Sequence, residues 1–417
     1  MKMEMRKIPG GITAAIGFSA SSCMAGIKYK NRADMAMIFS DAPCAAAGTF
    51  TSNVVKAAPV LWDREIVTDG EPVRAVVVNS GIANAGTGRE GMRICEKTAE
   101  AVGGRLGIPA RSVLIGSTGV IGMQIPLHKI EAGVAMLADG LDHTLAKGTE
   151  ASRAIMTTDT VNKETAYVIE LPNAEGTGTV PVTVGGMSKG SGMIHPNMCT
   201  MLAYITTDCA IDQALLQKLL SGIVADTFNM ISVDGDTSTN DTLLVLANGK
   251  AGNRTITEED ESCRAFAEAL FAVCRELAVK MAADGEGATR LIESTVIHMD
   301  TKENARVLAR SVVSSSLVKA MVFGKDANCG RILCALGYAG PVFDPERTEI
   351  RMSGESGEVV FCREGAVLSF DEELALRILS EDKVCFLSDM HMGEESATAW
   401  GCDLTYEYVK INGDYRT

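Results

Sequence analysis

Apolar residues recur along this chain at two different spacings. Short β-rich runs at residues 75–79, 112–115, 180–184 and 242–247 alternate with longer stretches in which apolar positions return every three or four residues. Strands alternating with amphipathic helices produce that pattern, so the chain reads as an α/β mixture. One helix is well marked. Thr257 stands three residues before Asp260 as a cap, and Phe266, Leu270, Val273, Cys274, Leu277 and Met281 then share one face before Asp284 and Gly285 end it. A second helical pattern covers residues 302–322, and an alternating run sets Trp400, Cys402, Leu404, Tyr406 and Tyr408 on one side of a last strand. No internal repeat or low-complexity linker interrupts this order.

Clusters of Gly, Thr, Asn and Asp sit at the ends of the apolar runs, at residues 79–88, 116–122, 185–197, 234–241, 284–287 and 412–417. Most such clusters are turns, but polar sites are built on loops held by rigid elements. Composition narrows the choice. The 417 residues carry 39 Lys and Arg against 53 Asp and Glu, a net charge of −14, which repels nucleic acid and anionic lipid. Twelve cysteines without a CxxC pair, and five histidines without HxxxH spacing, indicate neither a zinc site nor a secreted disulfide scaffold. Pro9, Gly10 and Gly11 break the weakly apolar N-terminal stretch, and no run of 18 apolar residues follows, so a cytoplasmic protein is expected.

The densest chemical signal is Gly186-Met-Ser-Lys-Gly-Ser-Gly-Met-Ile-His-Pro-Asn-Met-Cys-Thr200, ahead of an apolar, strand-like run. It lacks the GxxxxGK[ST] spacing of a phosphate cradle. A tightly turned backbone ending at a hydroxyl suits an N-to-O acyl shift, in which Thr200 Oγ1 attacks the Cys199 carbonyl and hydrolysis frees Thr200 as a new chain start. Its α-amine, with a reference pKa of about 8, then becomes the base for its own hydroxyl. On these residues alone a glycine hairpin with a buried threonine is the favoured reading over that chemistry. Gly116-Ser-Thr-Gly-Val-Ile-Gly122 follows the strand read to end at Ile115, and Thr118 with the Gly119 amide can converge on an oxyanion; the plain alternative is a strand-to-helix turn. His195 falls upstream of the cut and reads as structural. The run from Asp234 to Asp241 starts like a calcium loop, but Thr239 stands where that loop needs glycine and Val245 where it needs glutamate, which favours a turn network supporting a site.

These residues together resemble the ornithine acetyltransferases of the arginine pathway, also called bifunctional arginine biosynthesis proteins or glutamate N-acetyltransferases. The resemblance runs end to end, through Asn79-Ser-Gly, Ser117-Thr-Gly-Val-Ile-Gly, Ile155-Met-Thr-Thr-Asp-Thr, Lys189-Gly-Ser-Gly-Met-Ile-His-Pro-Asn-Met, Ile231-Ser-Val-Asp-Gly-Asp-Thr-Ser-Thr-Asn-Asp-Thr, Asp284-Gly-Glu-Gly-Ala-Thr and Ile411-Asn-Gly-Asp-Tyr-Arg-Thr417. It implies self-cleavage between Cys199 and Thr200, acetyl transfer through Thr200, oxyanion stabilisation by Thr118 and Gly119, and substrate contacts at Thr158, Lys189, Thr200, Glu286, Asn412 and Thr417. It further implies ping-pong transfer of acetyl from N-acetyl-L-ornithine to L-glutamate without a metal or organic cofactor. Relatives with and without a second activity share these motifs, so acetyl-coenzyme A stands as a second candidate donor.

The fold implied is an N-terminal-nucleophile-like αββα sandwich with an added C-terminal α/β unit. On this resemblance residues 1–199 form one fragment and 200–417 the other, with 200–290 completing the sandwich and 291–417 the added unit, and the fragments stay together as an α2β2 assembly. Departures from the family pattern fall at Cys199, where alanine is usual before the cut, and at Ile82, Gly86, Met230 and Cys329. Two rival readings are a water-accepting amidohydrolase or aminopeptidase with the same nucleophile, and a non-catalytic binding protein that stays uncleaved.

Overall fold

In a computed structural model of the chain, residues 4–195 and 201–414 are described. The chain divides into two compact units. The first comprises Met1–Gly190, Asn197–Phe228 and Thr237–Leu277, the second Ser191–Pro196, Asn229–Asp236 and Ala278–Thr417.

The first unit contains β1 (Arg6–Ile8), β2 (Phe18–Cys23), β3 (Met35–Phe50), β4 (Val73–Ile82), β5 (Val113–Val120), β6 (Lys163–Pro172), β7 (Thr179–Lys189) and β8 (Leu202–Thr207). After β9 (Ile231–Ser232), which pairs in the second unit, β10 (Thr242–Ala247) completes its strands. The strand order is β1-β6-β7-β8-β10-β3-β4-β5, with β2 also on β3. The 16-residue β3 serves two layers: its start pairs with β2 and β4, its register slips between Phe39 and Cys44, and its end pairs with β10. A bent strand of this kind folds one ribbon of strands into two facing sheets.

The apolar cluster between the layers shows that facing. Phe18, Ile38, Val76, Val78 and Leu114 from one layer meet Met187, Leu202, Tyr204, Leu244 and Leu246 from the other. Helices cover both outer faces. α2 (Gly88–Leu106) and α3 (Leu127–Asp139) pack Ile94, Cys95, Ala99, Val102, Ile130 and Val134 on Met35, Met37, Val77 and Ile115. On the opposite side α5 (Gln213–Ala225) holds the edge of β3 through Gln217 and the Gly48 backbone at 2.9 and 3.1 Å. α6 (Glu261–Ala283) lies over β6 and β7, where Glu276 accepts from Tyr167 at 2.9 Å. α1 (Ala58–Asp69) and α4 (Leu145–Ala154) add Ile66, Val67, Ala151 and Ala154 to the central cluster. The layers run αββα, as expected. The stripe from Phe266 to Met281 is wholly buried, yet α6 begins later than Thr257 because Asp260 caps it, accepting from Cys263 N at 2.9 Å.

The second unit holds β9, β11 (Leu291–Met299), β12 (Glu349–Gly354), β13 (Gly357–Arg363), β14 (Ala366–Val367), β15 (Lys383–Asp389) and β16 (Glu395–Cys402), ordered β14-β13-β12-β15-β11-β16-β9. Its helices are α7 (Lys302–Ser314), α8 (Ser316–Gly324), α9 (Cys329–Gly337), α10 (Glu372–Ile378) and α11 (Tyr406–Gly413). α7 buries Ala305, Leu308, Ala309, Val312 and Val313 against β11 and β16. Two sequence expectations change here. The helical pattern over 302–322 is two helices, because Ser315 leaves the helical backbone and caps α8. The alternating run ends as a strand at Cys402, and Tyr406 and Tyr408 belong to α11. Among the described residues no single helix is long and apolar enough to cross a membrane.

Candidate active site

Thr118 and Gly119 do not form a turn after Ile115. β5 continues to Val120 and pairs in parallel with β4, Ser80 opposite Thr118 and Gly81 opposite Gly119, with an irregularity at Ile82. Glycine is required at 119: its φ is +126°, and a Cβ there would stand 2.2 Å from the Gly81 carbonyl carbon. Two buried asparagines fix the surrounding backbone. Asn79 accepts from Ser117 Oγ at 2.7 Å and donates to Ile82 O at 2.9 Å, while Asn240 Nδ2 donates to Ser117 O at 2.8 Å and Ala83 O at 2.5 Å.

Lys189 ends β7, so Gly186 to Lys189 is buried strand rather than exposed turn. Its ammonium, on a residue only 8% exposed, donates to Thr118 Oγ1 at 3.2 Å and Thr157 Oγ1 at 2.9 Å. Because Thr118 Oγ1 accepts from the ammonium, its own hydrogen is directed elsewhere, as an oxyanion donor requires. Beside them Asp159 Oδ1 accepts from Lys163 Nζ and Gly190 N, both at 2.7 Å, and Oδ2 accepts from Thr157 N at 3.0 Å. The Asp159 and Lys163 side chains are fully buried. Burial works against the Asp159 charge, but the Lys189 and Lys163 ammonium groups and these hydrogen bonds hold its carboxyl well below the ordinary range. Removing ions from water costs several kcal/mol each unless partners compensate, so three buried charges in one cluster mark a functional site candidate. Thr158 lies in the same loop, partly buried, between Thr157 and Asp159.

In the second unit Glu286 is buried, its N–H donating to Ser191 O at 2.8 Å, and Asn412 Nδ2 of α11 donates to its Oε2 at 2.7 Å. Gly192 presses on that carboxylate: a Cβ there would lie 2.4 Å from Oε2. Asp234 accepts from Met193 N at 2.6 Å, Ile194 N at 2.8 Å and Asp236 N at 3.2 Å, using its carboxylate as a loop clamp rather than a calcium ligand. Burial, with help from Asp236, raises its pKa. His195 Nδ1 lies 3.0 Å from Ser232 Oγ, and burial together with Arg310 lowers its pKa to about 4, consistent with a structural role.

Of the residues expected at the site, the structure thus joins Thr118 to Lys189, with Gly119 following Thr118 in the chain and Thr158 following Thr157, the other hydroxyl that Lys189 binds, and separately joins Glu286 to Asn412. Cys199, Thr200 and Thr417 lie outside the described residues. Sequence reasoning missed Thr157, Asp159 and Lys163; the available signal was Thr-Thr-Asp followed by a lysine four positions on. The family departures are placed as follows: Ile82, Met230 and Cys329 are buried, and Gly86 has φ +65°. The histidines do form one cluster that spacing hid: His298, Asp389 and His391 bring ligand atoms within 4.8 Å, and both imidazole Nδ1 atoms face Asp389 Oδ1, at 2.9 and 3.4 Å. Both histidines are about half exposed.

The model of the ArgJ family matches residues 19–417. The chain is 50% identical over 415 residues to the arginine biosynthesis bifunctional protein ArgJ of Symbiobacterium thermophilum, covering 99% of this chain and 100% of the relative. It is 48% identical over 402 residues to the protein of that name from Thermotoga neapolitana, covering 96% and 99%. A crystal structure of ornithine acetyltransferase complexed with ornithine, from Mycobacterium tuberculosis, is 42% identical, with a TM-score of 0.42 over 48% of this chain and 100% of that one.

Proposed function

The chain belongs to the ArgJ family and is an acetyltransferase of arginine biosynthesis; from that premise we propose that the cluster at Thr118, Thr157 and Lys189 serves the transfer of acetyl from N-acetyl-L-ornithine to L-glutamate. In this reading Thr200, freed by self-cleavage after Cys199, attacks the acetyl carbonyl while its α-amine takes the hydroxyl proton. The developing oxyanion is met by the Thr118 hydroxyl and the Gly119 amide. Collapse expels ornithine, whose amine takes up the proton, and leaves acetyl-Thr200. The amine of glutamate then attacks this ester through a second oxyanion, giving N-acetylglutamate. The observation that carries the assignment is the Lys189 ammonium on Thr118 Oγ1, which turns a strand hydroxyl into an oriented donor.

A small zwitterionic substrate needs both signs of charge. Lys189 suits a carboxylate, Glu286 with Asn412 suits an ammonium group, and Thr158 and Thr417 join them as substrate contacts. The chemistry uses the threonine amine as base and calls on no metal or organic cofactor. Acetyl-coenzyme A is a second donor in this proposal. The two fragments remain associated as an α2β2 assembly in the cytoplasm, where the unbridged cysteines found among the described residues persist.

Ornithine release measured with and without glutamate tests the reading. Turnover that depends on glutamate and yields N-acetylglutamate supports it; glutamate-independent release of acetate would favour the amidohydrolase. Coenzyme A release from acetyl-coenzyme A and glutamate tests the second donor.

A further inference from the structure

Two lysines share one buried carboxylate, and only one of them has a part in the proposed chemistry. Lys163 Nζ binds Asp159 Oδ1 at 2.7 Å and Val161 O at 3.2 Å. Lys189 instead directs its hydrogen bonds to the hydroxyls of Thr118 and Thr157. In a poorly solvated pocket a carboxylate attracts an ammonium far more strongly than a hydroxyl does, so Asp159 competes with Thr118 for Lys189. The same carboxylate ties down the backbone on both sides of the arrangement, at Gly190 next to Lys189 and at Thr157, which supplies Lys189 with its second hydroxyl.

We propose that Asp159 and Lys163 are positioning residues for acetyl transfer: Lys163 occupies Asp159 and thereby keeps the Lys189 ammonium on Thr118. The proposal rests on the functional reading above and adds a task for two residues that contact neither substrate nor nucleophile in it. A purely structural ion pair makes a different prediction: removing one partner strands a buried charge and costs folding stability, which removing both relieves, but Lys189 stays on Thr118 and kcat of the folded protein is unchanged.

The test is a double-mutant cycle of Lys163→Met and Asp159→Asn, with kcat and KM for acetylornithine and thermal stability measured on each protein. Lys163→Met leaves Asp159 to capture Lys189 and should lower kcat about a hundredfold, the effect of losing one oriented donor. Asp159→Asn keeps an acceptor for Gly190 but removes the competing charge, so its kcat should fall less. The double variant should regain at least about tenfold in kcat over Lys163→Met, a coupling typical of directly interacting residues. Equal losses in both single variants, or a double variant no better than Lys163→Met, would overturn the proposal. Should Lys163→Met fail to fold, the double variant decides: kcat within about tenfold of wild type supports positioning, and a loss as deep as that of Lys189→Met refutes it. A crystal structure of Lys163→Met reads the same point without substrate, and so separately from the functional reading. Lys189 Nζ should leave Thr118 Oγ1 for Asp159, and its remaining on Thr118 would contradict the inference.

Discussion

Replacing Thr118 by alanine removes one hydroxyl from the proposed oxyanion site and leaves most of its surroundings intact. The residue is 9% exposed, and Lys189 keeps its 2.9 Å bond to Thr157 when Thr118 Oγ1 is lost. The structural cost is one buried methyl and one hydrogen bond, about 1–2 kcal/mol, against a folding stability of about 5–15 kcal/mol, so the variant should fold. The catalytic cost is larger. A preorganised oxyanion donor contributes about 2.7–4 kcal/mol, so kcat should fall by about a hundredfold to a thousandfold, with KM changed little. Serine at 118 retains the hydroxyl that Lys189 orients and should recover most of the loss. The assay is steady-state kinetics with both substrates, joined to rapid-quench measurement of acetyl-enzyme formation. An effect confined to KM, or a serine variant as slow as alanine, would refute the donor role and place Thr118 in ground-state binding.

Three further outcomes follow from the geometry. Gly192→Ala places a methyl group 2.4 Å from the Glu286 carboxylate and should displace it from Asn412; the loss of a charge-assisted contact of about 1.5–3 kcal/mol predicts a rise of about tenfold or more in KM, checked by initial rates. Gly119→Ala cannot keep β5 against Gly81 and should yield little soluble protein or a sharply lowered melting temperature. His195 is held neutral when folded, its pKa dropping from 6.5 to about 4, so stability is complete above pH 6.5 and is lost as pH falls toward 4. With partial solvation discounted, the loss is about 2 kcal/mol, and urea unfolding of His195→Asn should show a flatter profile over that range.

The parts of the fold set by apolar periodicity were legible in advance. The α6 stripe is buried from Phe266 to Met281 because about four turns of one helix repeat the same face. Where polar and small residues carry the structure, local pattern failed. The Gly-Ser-Thr-Gly run of β5 has weak strand propensity and is held extended by β4 and by Asn79 and Asn240, which lie far away in sequence. Tyr406 and Tyr408 continue the alternation of β16, yet the chain has already turned into α11. Lys189 and Thr118 stood out as chemical residues on separate motifs, whereas their meeting depends on pairing across 71 positions. Asp159 and Lys163 looked like ordinary loop polarity until burial gave them a shared environment.

The central claim is that Thr200 is both the new chain start and the carrier of the acetyl group. Mass spectrometry of the purified protein, incubated with N-acetyl-L-ornithine in the absence of glutamate and mapped at the peptide level, tests it most directly. Cleavage before Thr200 divides the 417 residues into fragments of 199 and 218, and the acetyl group should sit on the hydroxyl of Thr200 in the longer fragment. Added glutamate should then remove it. An active chain that remains in one piece, or an acetyl group carried on any other residue, would contradict the account.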